Sequence, residues 1–270
     1  MRAAILQFAP QYGEPEENLD RVDRLLSGVE ADLIVLPELF TSGYFFRSTE
    51  EARQMAEPIP GGRTTRRLEE WAARHEAVLA AGLAEREGDT LYNSAVVAGP
   101  GGYVGRYRKT HLYYEEKTHF ATGADGFPVF EVEAGGTTYG LGVMICFDWY
   151  FPESARTLAL SGADVIVHPS NLVRKNCPRA MPIRALENHC FTLTANRIGE
   201  ETNGGETLTF IGQSLICDPA GETLAQAGRE EETILTAEFD PHVARDRRIT
   251  AHNDIFADRQ PDRYVSEPVR

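Results

Sequence analysis

A short apolar run at residues 141–145 is followed directly by Cys146, and Pro152 and Glu153 come shortly after it. A run of this length is typical of a buried strand, whereas Pro and Glu are favoured in the first turn of a helix. The pattern therefore predicts a strand-to-helix turn that carries Cys146. Backbone N–H groups at such a turn can partly ionise a thiol, and the thiolate is the nucleophilic form. A buried structural cysteine is the alternative, and for a lone cysteine it is the commoner role.

The same alternation of apolar runs and amphipathic segments recurs along the chain and predicts a mixed α/β fold. Turn residues predict three hairpins, which pair 91–98 with 103–107, 129–132 with 138–145, and 214–217 with 233–238. The other predicted strands lie at 2–8, 33–36, 78–83, 162–171 and 191–195, and the predicted helices begin at Pro15 and cover 64–75, 152–160, 178–190 and 240–248. The sequence has no repeat and no low-complexity linker, so we expect a single domain.

Charge and cysteine usage narrow the class of protein. The chain has 27 basic and 41 acidic residues, a net charge of −14, which argues against nucleic acid and anionic membranes as partners. Its four cysteines include no Cys-x-x-Cys pair, so we expect free thiols and a reducing, cytoplasmic location. The N-terminus does not resemble a signal sequence, and no apolar stretch approaches the roughly 20 residues that span a bilayer.

Several common sites are excluded by their motifs. The chain contains neither the phosphate-loop pattern Gly-x4-Gly-Lys-Ser/Thr nor the zinc motif His-Glu-x-x-His. The glycine cluster at 99–102 precedes a predicted strand, whereas a dinucleotide fingerprint would precede a helix. We therefore expect no metal and no cofactor.

Polar residues at predicted strand ends are the candidates for chemistry. Glu38 follows the strand at 33–36, and open α/β sheets bind ligands at that end of their strands. Lys109 follows the second strand of the first hairpin, although a solvated side chain is the usual role of a single Glu or Lys. His168 is interpreted as a hydrogen-bonded residue rather than a base. Thiolate, carboxylate and ammonium together suit carbon–nitrogen bond cleavage, as nucleophile, proton carrier and anion stabiliser.

Three segments carry a specific resemblance. They are 36–40 (LPELF), 108–112 (RKTHL) and 144–156 (MICFDWYFPESAR), and in order and spacing they resemble the signature segments of the nitrilase superfamily of carbon–nitrogen hydrolases. The similarity extends from Ile5 to about Phe256, and the segments 179–188 and 253–256 most resemble the branch containing the thermoactive archaeal nitrilase. The resemblance implies a four-layer α-β-β-α sandwich over residues 1–256. It also implies a homodimer, with the tail at 257–270 crossing to the partner.

Carried over by position, the resemblance assigns roles to named residues. Cys146 would be the nucleophile, Glu38 the general base and acid, and Lys109 the cation facing the tetrahedral intermediate. The family's additional glutamate would be Glu116, with Glu115 as the competing choice. The backbone N–H of Phe147 would complete the oxyanion site.

The implied reaction converts a small aliphatic amide or nitrile to the carboxylic acid and ammonia through a thioester. N-carbamoyl hydrolysis uses the same residues in this superfamily, and a non-catalytic binding subunit or a thiol redox protein are the further alternatives. Arg174 could pair with a substrate carboxylate or lie on the surface. Candidates for substrate contact, for which core packing is the commoner role, are Tyr44, Phe45, Tyr113, Trp149 and Asn171.

Overall fold

The structure, a computed structural model, describes residues 1–265 and consists of two stacked six-stranded sheets with helices outside them. The first sheet has the order β14 (Thr233–Glu238), β1 (Arg2–Gln7), β2 (Leu33–Val35), β3 (Val78–Glu87), β4 (Thr90–Gly99) and β5 (Gly102–Arg108). The second has the order β13 (Thr223–Gln226), β12 (Leu215–Cys217), β9 (Phe191–Asn196), β8 (Val165–Ser170), β7 (Thr137–Val143) and β6 (Val129–Ala134).

Six α-helices accompany the sheets within the described residues. They are α1 (Pro15–Leu26), α2 (Thr49–Met55), α3 (Arg63–His75), α4 (Glu116–His119), α5 (Pro152–Leu160) and α6 (Cys177–Asn188). Two-stranded ribbons are formed by β10 (Glu200–Asn203) with β11 (Glu206–Thr209) and by β15 (Arg248–Thr250) with β16 (Asn253–Asp254). Short 3-10 helices lie at Cys146–Tyr150, Pro241–Arg245 and Pro261–Arg263.

The strand faces explain the layers. In β1, Ile5 packs between the sheets, whereas its neighbour Leu6 packs with α1 and α3 on the outer face. Successive side chains of a strand point to opposite faces, so one apolar strand can serve both layers. On the second sheet, Gly142 lies against Leu158 of α5. The layers are therefore α1 and α3, sheet, sheet, and α5 and α6, and the four-layer sandwich is confirmed.

The centre of each sheet is parallel. Strands β1, β2 and β3 pair in parallel, as do β7, β8 and β9, while the outer strands pair antiparallel. All residues of β2 and β8 are buried, as expected for strands covered on both faces. Because parallel strands end on the same side, the carboxyl ends of β2 and β3 share one edge of their sheet.

The third predicted hairpin is wrong. Strand β12 pairs with β13 and β9 in the second sheet, whereas β14 pairs antiparallel with β1 in the first sheet. The turn at 218–221 does reverse the chain, but it leads into β13, a four-residue edge strand with little apolar pattern. A turn signal shows where a chain reverses and does not show which later segment pairs, so the crossover between sheets was not predictable from it.

Two other predictions concern the C-terminal part of the chain, a helix at 240–248 and a domain boundary at 256. The helix expected at 240–248 is a 3-10 helix that ends at Arg245, and β15 begins at Arg248. The boundary at 256 stays a prediction, and residues 266–270 of the predicted tail lie outside the described residues. Over residues 1–265 the longest helices are too short and too polar to cross a bilayer.

Candidate active site

Glu38 sits in a tight loop at the carboxyl end of β2. The loop is held against β3 by two backbone bonds, from Gly82 N to Pro37 O at 3.1 Å and from Phe40 N to Gly82 O at 3.1 Å. A Cβ on residue 82 would lie only 2.5 Å from Glu38 Cα, so this approach requires glycine. The apolar strand β3 thus places the Glu38 carboxylate in the interior, where it is fully buried.

Lys109 joins two carboxylates. Its fully buried ammonium donates to Glu38 Oε1 at 2.6 Å and to Glu116 Oε1 at 2.8 Å. Asn93 Nδ2 donates to the same Glu38 oxygen at 2.7 Å, and the Tyr44 hydroxyl donates to Glu116 Oε1 at 2.7 Å. Within residues 1–265, Glu38 Oε2 is buried and has no hydrogen-bond partner, so it can accept a proton.

Burial and neighbouring charges set the protonation of this cluster. Burial raises the pKa of Glu38, the Glu116 carboxylate raises it further, and the Lys109 ammonium acts in the opposite direction. Burial alone would lower the pKa of Lys109, but the carboxylates of Glu116 and Glu38 outweigh it and raise that pKa above its ordinary value. Lys109 is therefore a fixed cation, and Glu38 is a carboxylate that gains a proton readily.

Cys146 occupies a constrained turn after β7. Its φ is 40°, in the left-handed region that favours glycine, and it opens a 3-10 helix. Asp148 Oδ2 accepts from Ile145 N at 2.8 Å, and His168 Nε2 donates to the Cys146 carbonyl at 2.8 Å. Burial lowers the pKa of His168 to about 4, so the ring is neutral, and its predicted hydrogen-bonding role is confirmed.

The Cys146 thiol is protonated at rest. Burial raises its pKa well above the ordinary value, and the Glu38 carboxylate adds to that effect, while Lys109 and a backbone hydrogen bond of Asn171 oppose it. The backbone hydrogen bond of Asn171 acts in the expected direction, but burial and the Glu38 carboxylate oppose it and raise the pKa. A thiol with a raised pKa needs a base before it can attack, and the charge of the Glu38 carboxylate acts on this thiol.

Two cavities meet at the site. One of about 270 Å³ is lined by Cys146, and the other, of about 240 Å³, is lined by Glu116. The Cys146 cavity also includes Phe147, Tyr113, Trp149, Asn171 and Arg174, and the Glu116 cavity includes Tyr44, Phe45, Tyr113 and Arg174. All of the residues expected to contact substrate therefore line one cavity or both.

The sequence of this chain is similar to that of known proteins over nearly its whole length. The family model for carbon-nitrogen hydrolase matches residues 2–249. The chain is 49% identical to a nitrilase of Pyrococcus abyssi over 98% of this chain and 99% of that protein. The chain belongs to the carbon–nitrogen hydrolase family. The resemblance of the three short segments to the nitrilase superfamily is confirmed, and the protein is an enzyme of that superfamily.

Two further relatives show the range of this hydrolase family. An N-carbamoylputrescine amidase of Solanum lycopersicum is 34% identical, with 97% of this chain and 92% of that protein covered. A solved structure of the Nesterenkonia sp. AN1 amidase, in which acrylamide has added to the active-site cysteine, matches with a TM-score of 0.75 and 30% identity. That match covers 92% of this chain and 96% of the other. Proteins similar to this chain thus carry the names nitrilase, amidase and N-carbamoylputrescine amidase.

The hydrolase fold separates the two candidate glutamates. Glu116 is buried and bonded to Lys109, whereas Glu115 is partly exposed and faces Arg47 at 3.5 Å. Glu38 and Lys109 are 71 positions apart in sequence but joined in space. The role of the Phe147 N–H stays a prediction, although Phe147 lines the Cys146 cavity.

Sequence reasoning missed several residues that position the site. Asn93 donates a hydrogen bond to Glu38, and its only local signal was a buried amide in β4. Asp148 receives the Tyr107 hydroxyl at 2.8 Å and the His111 backbone N–H at 3.1 Å, so it ties the Lys109 segment to the Cys146 turn. The carboxylate of Glu201 accepts from the backbone N–H groups that follow Gly43, and no local pattern marked it.

Proposed function

We propose that this hydrolase cleaves small aliphatic amides to the carboxylic acid and ammonia, with Cys146 as nucleophile and Glu38 as proton carrier. The observation that carries the proposal is the bridging of Lys109 between Glu38 Oε1 and Glu116 Oε1. This bridge occupies one oxygen of Glu38 and leaves Oε2 without a partner among residues 1–265. The fixed cation and the proton acceptor are therefore joined in one buried cluster, whose charges act on the Cys146 thiol.

In the first half-reaction the thiol proton passes to Glu38 and the Sγ–carbon bond forms at the amide carbonyl. The Lys109 ammonium and the Phe147 backbone N–H stabilise the negative oxygen of the tetrahedral intermediate. Glu38 returns the proton to the departing nitrogen, the carbon–nitrogen bond breaks, and ammonia leaves. A thioester on Cys146 remains.

In the second half-reaction Glu38 takes a proton from water, and the water oxygen bonds to the thioester carbon. The carbon–sulfur bond breaks, the proton passes to sulfur, and the carboxylic acid leaves. Glu116 holds Lys109 in place through both steps, and the Tyr44 hydroxyl holds Glu116. Glu38 and Cys146 account for every proton that the protein gives or takes.

A nitrile is the second candidate substrate, since the P. abyssi relative at 49% identity carries the name nitrilase. Attack of Cys146 would then give a thioimidate, one water would add and release ammonia, and a second water would hydrolyse the thioester. An N-carbamoyl compound is the third candidate substrate, since the Solanum lycopersicum relative carries the name N-carbamoylputrescine amidase. The complete buried cluster favours all of these over a non-catalytic binding subunit.

Ammonia release separates these substrates. The panel would hold small aliphatic amides, matched nitriles and N-carbamoyl compounds, each tested with wild type, Cys146→Ala and Cys146→Ser. Release by wild type alone, greatest with amides, would support the proposal, and a preference for nitriles or carbamoyl compounds would move the assignment to that class. Equal release by wild type and Cys146→Ala would remove Cys146 as the nucleophile.

We also propose that the chain forms a homodimer through the outer face of α5 and α6. Leu160, Ile183 and Leu186 on these helices are 44%, 51% and 48% exposed, and the same face of a second chain would cover them. Light scattering should give twice the 30.0 kDa chain mass, and a double Ile183→Asp, Leu186→Asp variant should give one chain mass. A monomeric wild type would contradict this.

The four cysteines are free and buried, which supports a reducing compartment such as the cytoplasm. We propose residues 1–256 as the hydrolase domain, since the family model covers 2–249. Limited proteolysis tests that boundary. Cleavage confined to the chain after residue 256 is expected, and early cleavage inside either sheet would contradict it.

A further inference from the structure

Arg174 brings a positive charge to the cavity that contains Cys146. It is the charged residue among the side chains lining that cavity, and four of the others are aromatic: Tyr113, Phe147, Trp149 and Tyr150. Arg174 is exposed, so its guanidinium lies on the solvent side of the cavity. A molecule bound at Cys146 would therefore meet apolar walls first and a cation beyond them.

The guanidinium has donors to spare. Within residues 1–265 it makes one hydrogen bond, from Nε to the Tyr113 hydroxyl at 3.2 Å, and it forms no ion pair with a carboxylate. Arginines elsewhere on the surface, such as Arg47 and Arg245, do pair with acidic side chains. An arginine carries five N–H donors in a planar fork that fits a carboxylate. The remaining donors of Arg174 are available to a ligand.

Tyr113 links Arg174 to the reacting end of the cavity. Its hydroxyl accepts the Arg174 bond, and its ring packs against Phe147 with centroids 5.1 Å apart. Phe147 follows Cys146 directly in the chain. Tyr113 alone thus connects the guanidinium to the ring of the nucleophile's neighbour, which suits a short acyl chain along these rings.

We propose that Arg174 binds a carboxylate at the far end of the acyl group, so that the preferred substrates are monoamides of small dicarboxylic acids. This inference rests on the proposed function and names the substrate class of the same site. The amide carbon lies at Cys146, the methylene groups lie along the aromatic walls, and the distal carboxylate meets the guanidinium. Such a contact orients the amide as well as adding affinity.

The neighbouring residue offers a matched control. Lys175 is also exposed and carries the same charge, but it lines a separate cavity together with Arg229 and Glu230. Lys175→Gln therefore removes one positive charge from the same surface without touching the Cys146 cavity. It separates a specific contact from a general attraction between the protein and an anionic substrate.

The test compares succinamate and glutaramate with uncharged amides of the same shape, in which an isopropyl group replaces the carboxylate. The readout is the ratio of kcat/KM for the charged amide to that for its uncharged analogue. In Arg174→Gln this ratio should fall about 10-fold, mainly through KM, because a charge-assisted hydrogen bond contributes on that scale. In Lys175→Gln it should stay within about two-fold, and added salt should weaken the wild-type preference.

Two results would overturn the proposal. One is a wild-type ratio near one that Arg174→Gln leaves unchanged, and the other is an equal fall in Arg174→Gln and Lys175→Gln. N-carbamoyl glycine and N-carbamoyl β-alanine form a separate arm, because they also carry a carboxylate. A ratio that depends on Arg174 only in that arm would contradict a distal acyl carboxylate.

A binding measurement keeps this inference separate from the proposed reaction. Calorimetry with succinamate would use Cys146→Ala and the double variant Cys146→Ala, Arg174→Gln, neither of which needs to turn over substrate. Binding lost only in the double variant supports the carboxylate contact even if no amide is hydrolysed by wild type. Equal binding by both overturns it even if amide hydrolysis is established.

Discussion

Gly82→Ala should lower activity sharply although the residue has no side chain to contribute. The added Cβ would lie 2.5 Å from Glu38 Cα and 3.0 Å from Leu39 N, whereas ordinary contact begins at 3.4 Å. The Glu38 backbone must therefore move by about 1 Å, since β3 is fixed by its two neighbouring strands. A displacement of this size at a catalytic group can cost on the order of 100-fold in rate.

The same substitution should also destabilise the fold. Overpacking a buried site costs about 1–3 kcal/mol, which for a chain of this size lowers the unfolding temperature by several degrees. Gly101→Ala is the matched control, because a Cβ there meets nothing within 4 Å. Amide hydrolysis would be measured well below the unfolding temperature, with circular dichroism as the check on folding.

The result that would refute this reasoning is specific. If Gly82→Ala kept wild-type kcat/KM, the Glu38 loop would tolerate displacement, and its close approach to β3 would not matter to catalysis. If Gly101→Ala lost activity to the same extent, the loss would reflect added bulk in general. A folded Gly82→Ala variant with low kcat and an active Gly101→Ala variant is the expected pair.

Three further predictions concern the charges of the site. Glu116→Gln should lower kcat by about 100-fold or more, because Lys109 loses one of its two carboxylate partners. Glu115→Gln should keep kcat within about three-fold of wild type, because Glu115 faces Arg47 and not Lys109. Steady-state ammonia assays compare the two variants. Activity should fall as the pH drops through the raised pKa of Glu38, because the base must be ionised. In Glu116→Gln the acid limb of the kcat/KM profile should move to lower pH, because the Glu116 carboxylate that raises the pKa of Glu38 is gone. Glu201→Gln should lower the free energy of unfolding in urea by about 3 kcal/mol, because it leaves the buried Arg197 without its charged partner. An unchanged urea midpoint would contradict this.

Local sequence patterns were enough to predict most of the strands and helices near the site. Strand β7 ends at Val143, two residues before the predicted end at 145, and the helix after Cys146 begins at Pro152 as expected. Such patterns follow from side-chain periodicity and helix-start preferences, which act over a few residues. They could not predict that β14 would join the first sheet beside β1, since strand pairing depends on the packing of the whole molecule.

The candidate site, too, was predictable from local sequence only in part. Position relative to strand ends singled out Glu38, Lys109 and Cys146, but only the resemblance to a family placed them in one site and added Glu116. Asn93 was missed because a single amide in a strand does not show what it bonds to. The raised pKa of the Cys146 thiol also could not be predicted, since it arises from burial and from carboxylates distant in sequence.

The most direct test of the central claim is to trap the acyl group on Cys146 with hydroxylamine. Wild type acting on an amide and on the matching ethyl ester should give hydroxamate and acid in one common ratio, because both substrates pass through the same thioester. Cys146→Ala should give neither product. Hydroxamate from Cys146→Ala, or different product ratios from the two substrates, would contradict a covalent intermediate on this residue.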